Sequence, residues 1–366
     1  MRLTVKIPLL FAISGLIAII GIYSVGIKGK QLLQENTLYR VEREAQLLME
    51  LIERNLFERY HDTTIFPLTI KHLTSTQEIG AAKEEITQNL NAFVDNYKVY
   101  RRIVLFDTQG QLLAANTMNS HGKKLQPLHI SAQEIAAKPW FKAVLNGEAL
   151  DSSAAEAVYV TGPLHDVLEQ HAYNYDLLFA KPITSANGET LGVWVNLMDF
   201  SAIEDLIYRT YQILSADGLP STEITLLDAE GRVLVDMDPL SQNQSDYQRD
   251  FSVLSKLNLA DEGVEGAKLA VAGLTGANLS INSRKHLEQV TGYAHNQGVM
   301  DFPGLDWSAL IRVNSSEAFA KTQQLQSNSL LILLVILFAI LLTVGYLIFH
   351  HSLALRRLIT ASRLME

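Results

Sequence analysis

Apolar residues run without a charge from Ile7 to Ile27 and again from Leu330 to Phe349. A hydrocarbon layer needs about 20 residues of helix, and each run meets that length, so both are predicted to span a membrane. The first is longer than the apolar core of a secretory signal, about 7 to 15 residues, and no small-x-small cleavage site follows it. The second, LLILLVILFAILLTVGYLIF, has no other home than a wholly buried helix.

Between the two runs the pattern changes period. From Gln31 to Tyr60 the chain has neither Pro nor Gly, and Leu38, Val41, Ala45, Leu48, Ile52, Leu56 and Tyr60 recur at spacings of three or four. That is one face of a long helix, predicted over 31–62 and on the order of 45 Å in length at 1.5 Å per residue. The same face suits packing on its own domain and pairing with a second subunit.

A repeat follows. RRIVLFDTQGQLLAAN, from Arg101, and TEITLLDAEGRVLVDMD, from Thr222, each join two apolar strands through Asp-x-x-Gly. Asp107 and Asp228 are expected to bond nearby backbone N–H groups, with Gly110 and Gly231 supplying positive φ. After the first hairpin, Ser131 and Glu134 have capping-box spacing, Pro139 opens a short helix PWFKAVLN, and Gly147 closes it. DLLFAKPIT and ETLGVWVNLMDF then form a hairpin about Ala186-Asn187-Gly188. Ser201 and Glu204 are expected to cap a linking helix over about 201–215. In the second half, strands are clearest in HLEQVTGYAHN and LDWSALIRVN, and the glycines of GVEGAKLAVAGLTGAN suggest a loop between helices. The predicted fold is α+β: two mixed modules, about 63–200 and 216–320, on one long helix between membrane spans.

Charge orients this layout. Arg2 and Lys6 precede the first span, and Arg356, Arg357 and Arg363 follow the second, so both termini (1–6 and 350–366) are expected in the cytoplasm and 28–329 outside it. Lys28 and Lys30 oppose that orientation, but long loops translocate largely regardless of charge. The whole chain carries a net charge of −9, and the exterior part, without those five basic residues, is more acidic still. Nucleic acid is a poor partner for it. With 0 cysteines, disulfides and thiolate chemistry are excluded.

In this order the pieces resemble the double Cache sensor family, the tandem PAS-like exterior domain of bacterial chemoreceptors, sensor kinases and membrane-bound cyclases. The resemblance rests on the long helix, the repeated hairpin, AKPWFKAVLNGE (137–148), FAKPITSANGETLGVWV (179–195) and GYAHNQGVMDFPGLDWSALIRV (292–313). It implies a small-molecule ligand in the membrane-distal module, a bacterial inner-membrane location, and a homodimer through the N-terminal and transmembrane helices. It also implies cytoplasmic signalling partners, chemotaxis being the favoured output and a histidine kinase or diguanylate cyclase the alternative. HSLALRRLITASRLME is too short to be such an output domain, so the chain is expected to be part of a longer protein or to act through a partner. Members that bind amino acids carry R-x-W-[YF], P-Y-x-D and a later strand-end Asp. Trp140, Phe141 and Asp166 match, whereas Lys138 stands for the Arg, Leu164 for the Tyr and Leu197 for the last Asp. Lysine lacks the bidentate fork for a carboxylate, and leucine gives an amine no counter-charge, so the expected ligand is not an α-amino acid.

The candidate ligand-binding residues are Lys138, Trp140, Phe141, Tyr159, Thr161, Asp166, Asn196 and Asp199. Trp140 reads as a pocket wall or as core beside Pro139. Tyr159 and Thr161 alternate along one strand, presenting two hydroxyls or a solvated face. Asp166 belongs to a ligand contact or a polar loop, and Asn196 and Asp199 to a ligand contact or a strand-end cap. His165, Asp166, Glu169 and His171 include metal-ligand types, but a polar loop is the plainer account, and neither a metal nor a cofactor is expected. There is no H-E-x-x-H, G-x-S-x-G, P-loop or G-x-G-x-x-G, and no catalytic residue is assigned. Two rivals to the ligand sensor stay open: a module that reads a periplasmic protein, and a tether without signalling.

Overall fold

The computed structural model describes residues 3–363 except 151–157, 166, 169–173, 186 and 240–246. The chain divides into two units, residues 1–40 with 314–366, and residues 41–313.

The first unit contains the N-terminal part of one helix and the whole of another. Helix α1 (Leu3–Ile65) is a single helix of 63 residues. The sequence separates a span ending at Ile27 from a helix beginning at Gln31, but the backbone runs through Lys28-Gly29-Lys30 unbroken. An isolated glycine costs a helix only about 1 kcal/mol, too little to end a run with no proline at the junction. At the other end of the chain, a helix at Ala320–Arg363 contains the second apolar run. Both helices are long and apolar enough to cross a membrane. Leu331, Leu334, Phe338 and Leu341 are exposed along the second, an arrangement suited to lipid rather than water.

The second unit has two five-stranded antiparallel sheets. The first is built from β1 (Tyr100–Asp107), β2 (Leu112–Ala115), β3 (Tyr159–His165), β4 (Tyr175–Thr184) and β5 (Thr190–Asp199), in the order β2-β1-β5-β4-β3. The second repeats that order as β7-β6-β10-β9-β8, from β6 (Glu223–Leu227), β7 (Val233–Met237), β8 (Gly276–Asn282), β9 (Leu287–His295) and β10 (Ser308–Asn314). The repeated hairpin of the sequence is thus β1–β2 and β6–β7. Asp107 Oδ1 accepts from the Gln109 and Gln111 N–H groups, and Asp228 Oδ1 from those of Glu230 and Arg232, each at 2.7–3.0 Å. Gly110 and Gly231 have φ of 85° and 89°. Both aspartates are turn residues.

Beyond α1, short helices α2 (Thr76–Ala81) and α3 (Lys83–Tyr97) precede the first sheet, and α4 (Ala132–Ala137) and α5 (Pro139–Leu145) follow β2. Helix α6 (Ser201–Ala216) joins the sheets, and α7 (Glu265–Val271) packs on β9. The chain leaves β10 through α8 (Ser315–Ala318) into α9 (Ala320–Arg363). Two sequence expectations are corrected. GVEGAKLAVAGLTGAN is a helix followed by the edge strand β8, because Val264, Ala267 and Ala270 bury one face at helical spacing and Gly266 lets the helix approach Thr291 closely. Ser201 does not cap α6: Phe200 is the N-cap, Asp199 Oδ1 accepts the Ser201 N–H at 2.9 Å, and Glu204 is held by Arg249. Ser131 and Glu134, by contrast, form the full capping box of α4.

The inner part of α1 is a spine for both sheets. Val41, Ala45, Leu48, Ile52, Leu56 and Tyr60 are all buried. Gly292 of β9 lies so close to the Val41 carbonyl that a Cβ would meet it at 2.3 Å. Near the other end, Tyr100 donates to Asp62 at 2.5 Å and Asn196 donates to Thr63 at 2.9 Å.

Candidate functional site

Alternation along the strands gives the first sheet two chemically distinct faces. Leu178 pairs with Leu197, Ala180 with Val195, and Val195 with Val104, so these side chains share a face with Phe106 and Val193. Helices α4 and α5 cover it. The α4 capping box fixes where that helix begins, and Pro139, at the start of α5, begins the next one two residues after α4 ends at Ala137. Ile135, Trp140, Phe141 and Val144 then join the strand residues in one buried apolar cluster. Phe141 meets Phe106 and Trp140 edge to face.

One atom in this cluster is out of character. Trp140 is 5% exposed, and its Nε1 is buried without a hydrogen-bond partner. That nitrogen is the side chain's sole polar atom and can only donate. Leaving a buried donor unpaired costs about 1–3 kcal/mol. Tyr159, half-buried, packs on the same cluster, and Thr161 shares its face because their partners on β4 are Ala180 and Leu178. Lys138 is the N-cap of α5, half-buried, and its side chain makes no cap bond. It lies near Glu134, whose carboxyl is held below its ordinary range by the Ser131 N–H and hydroxyl first and by Lys138 last.

The other candidates separate from this group. Asn196 belongs to the opposite face, where its Oδ1 accepts from Trp194 Nε1 at 2.8 Å and its Nδ2 donates to Thr63. It joins β5 to α1 on the face away from Leu197, as strand parity requires. Asp199 binds the Ser201 N–H and lies 3.5 Å from Arg249, an arrangement that starts α6. Asp166, Glu169 and His171 lie outside the described residues. His165, at the end of β3, meets Phe251 edge to face, the ring centres 4.2 Å apart. Among the described residues no group of three His, Cys, Asp or Glu side chains could hold a metal.

Two ion pairs at this end of the sheet escaped sequence reasoning. Asp176, fully buried on β4, is gripped by both Arg101 Nε and its terminal nitrogen. Burial raises the Asp176 pKa, and the bond and charge of Arg101 oppose that rise. Arg249 grips Glu204 with two bonds of 2.7 Å and lies over the Tyr175 ring. The partners are 75 and 45 positions apart, so spacing carried no signal of them.

The same face of the second sheet is built of charge. Arg312 stands opposite Glu223 as Leu197 stands opposite Arg102, and Asp236 stands opposite Thr225 as Ala115 stands opposite Val104. Arg312 donates to Thr225 at 2.7 Å and lies 3.4 Å from Glu223. Lys285 bridges Glu223 at 2.7 Å and Asp238 at 2.5 Å, and Gln289 donates to Glu223 at 2.8 Å.

The model of the Cache domain family matches residues 29–322. Solved structures of similar fold include the ligand-binding domain of the Pseudomonas aeruginosa amino acid chemoreceptor PctB in complex with L-Arg, at 15% identity and a TM-score of 0.51. The match covers 78% of this chain and 98% of that one. The ligand-binding domain of the Campylobacter jejuni chemoreceptor Tlp3, in complex with L-valine, has 12% identity, 79% and 97% coverage and a TM-score of 0.52. The extracellular domain of the candidate histidine kinase rpHK1S-Z16 has 16% identity, 78% and 96% coverage and a TM-score of 0.50. No curated protein sequence matches the chain.

Proposed function

We propose that this chain, which belongs to the Cache domain family, is the receptor part of a transmembrane sensor that binds a small extracytoplasmic molecule between its first sheet and α4–α5. The observation that carries the reading is the unpaired Trp140 Nε1 in the apolar cover of that sheet. A donor there gains a partner only when something else enters. Two candidate membrane helices flank the Cache region, and β10 runs through α8 directly into one of them. Ligand binding would favour one of two arrangements of the first module, and the bias would pass along the chain into α9 and on to cytoplasmic signalling proteins.

Chemotaxis is the output this reading favours, since chemoreceptors carry the fold, with a kinase the alternative. The role is that of a binding protein rather than an enzyme. A dimer through α1 accords with the exposure of Tyr39, Leu47 and Leu51 at 66%, 38% and 49%. The test is a thermal-shift screen of the full chain in nanodiscs against a broad metabolite panel. Stabilisation by at least one class is expected. A folded sample that no metabolite class stabilises would refute the sensor reading.

A further inference from the structure

Within the first unit, α1 and α9 leave a cleft of about 350 Å³ between them. That volume is within the range of small-molecule sites, roughly 300–1,000 Å³. On one side of it the two helices touch, since a Cβ at Gly15 would lie 2.7 Å from Ile340. Beside the cleft they stand apart, and a Cβ at Gly26 or Gly29 would meet nothing within 4 Å. The lining is graded along its length. Toward Gly15 and Ile340 it is built of Ile22, Val25, Leu330 and Leu333, and away from them of Lys30, Gln326 and Ser329. Lys30 is three residues beyond Ile27, about 4.5 Å along the axis, and Gln326 four residues before Leu330, about 6 Å. A headgroup layer is roughly 5–7 Å deep on each side of the hydrocarbon, so the polar end of the cleft is at headgroup level when the apolar runs occupy the bilayer. Lys30 is exposed and has no ion-pair partner among the described residues.

We propose that this cleft holds one anionic phospholipid of the extracytoplasmic leaflet, an acyl chain lying against Ile22, Val25, Leu330 and Leu333 and the phosphate meeting the Lys30 ammonium. The site is separate from ligand sensing and rests on both helices crossing a membrane. Hydrocarbon suits its inner end, because an apolar gap at that depth offers water no partners. A second copy of α1 suits it less. One turn of a helix about 10 Å across and 5.4 Å in pitch occupies roughly 420 Å³, more than the cleft contains. Charge complementarity selects the headgroup, since an ammonium and a phosphate form a charge-assisted hydrogen bond that a zwitterionic lipid partly cancels with its own cation. It also gives a use to a lysine on the side of the membrane where basic residues are disfavoured. The bound lipid would bridge the helix that enters the exterior domain and the helix that leaves it.

Native mass spectrometry of the full chain, released from nanodiscs of phosphatidylcholine and phosphatidylglycerol in equal amounts, tests the site. One phosphatidylglycerol per chain is expected to stay bound, about fivefold more often than phosphatidylcholine, the size of one lysine's attraction to an anionic lipid surface. Lys30→Gln should abolish that preference. Lys28→Gln, on the same helix but outside the cleft, should leave it unchanged. Gly26→Leu fills the cleft with hydrocarbon and replaces a poor helix former where there is room for a side chain, so it should fold at least as well and retain neither lipid. Wild-type chain that retains no lipid, or both lipids equally, would overturn the proposal. So would an equal loss of preference in the two lysine variants, which marks diffuse surface attraction, or undiminished retention in Gly26→Leu, which puts the lipid elsewhere. A lipid-free wild-type dimer that Gly26→Leu dissociates in sedimentation velocity would assign the cleft to a second copy instead. A chain that fails to enter nanodiscs overturns the proposal together with the membrane reading on which it rests.

Discussion

Replacing Arg101 by methionine is the sharpest probe of how this fold tolerates a charge at its centre. Asp176 is fully buried, and two Arg101 nitrogens hold its carboxylate. Methionine keeps most of the aliphatic stem and strands the acid. Removing one member of a buried pair costs about 3–5 kcal/mol, because the remaining charge has lost its compensation. For a unit of this size each kcal/mol moves Tm by roughly 2–4 °C, so a fall on the order of 10 °C is expected near pH 8. The pH dependence has a definite sign. Burial already raises the Asp176 pKa, and losing Arg101 raises it further. Between the unfolded and folded pKa values the native state binds the extra proton, so stability falls as pH rises through that window and levels off above it. The loss in Arg101→Met should therefore be smaller at pH 5 than at pH 8. Thermal unfolding of the full chain in nanodiscs, followed by circular dichroism at both pH values, reads this directly. A loss that is equal at the two pH values, or under about 1 kcal/mol, would refute the picture of a stranded carboxylate. The double variant Arg101→Met with Asp176→Leu should recover most of the stability, since a buried pair replaced by apolar groups is often neutral.

Asn196→Ala should cost about 1–3 kcal/mol by unpairing Trp194 and Thr63, yet leave ligand affinity unchanged, and calorimetry beside a melting curve separates the two effects. Gly192→Ala should prevent a stable first sheet, because a Cβ there would lie 2.0 Å from the Phe106 carbonyl; near wild-type melting would contradict the register of β1 and β5. Lys138→Met should weaken a carboxylate ligand more than its amide if the half-buried ammonium serves the site, and equal weakening would assign Lys138 to α5 alone. Leu47→Glu with Leu51→Glu should dissociate the proposed dimer in sedimentation velocity while leaving the monomer folded, since both side chains lie outside the buried stripe of α1.

Much of this fold was legible because it depends on local rules. The Asp-x-x-Gly turns, the α4 capping box and the α1 stripe each follow from spacing alone, and the structure realises all three. Local rules misled where a neighbour decided the outcome. Ser201 has capping chemistry, but Asp199 takes that N–H and Arg249 claims Glu204, a partner 45 residues away. Glycine-rich residues 263–278 look like loop, but Gly266 and Gly276 are glycines because Thr291 and Tyr293 of β9 leave no room for a Cβ. The candidate residues fall into two groups. Tyr159 and Thr161 share a strand face, as their spacing suggested, and Trp140 packs on that side, whereas Asn196, next to Leu197, turns to the other face. That the Trp140 nitrogen would lack a partner depends on what surrounds it in three dimensions, and no pattern along the chain encodes that.

The two sheets share one strand order but not one tolerance for change. On the first, exchange among valine, leucine, isoleucine and methionine costs little as long as volume is kept, so its inner surface can drift through many sequences while the module still folds. On the second, Lys285 joins Glu223 to Asp238, and Gln289 and Arg312 lie against the same glutamate, so altering Glu223 leaves several buried partners uncompensated. Drift is therefore open on the apolar surface beneath α4 and α5, away from Arg101 and Asp176, and narrower around the charged cluster of the second sheet. Under the proposed sensor reading, such a tandem would acquire a new stimulus by ordinary hydrophobic substitution in its first module while the charged cluster of the second stayed fixed.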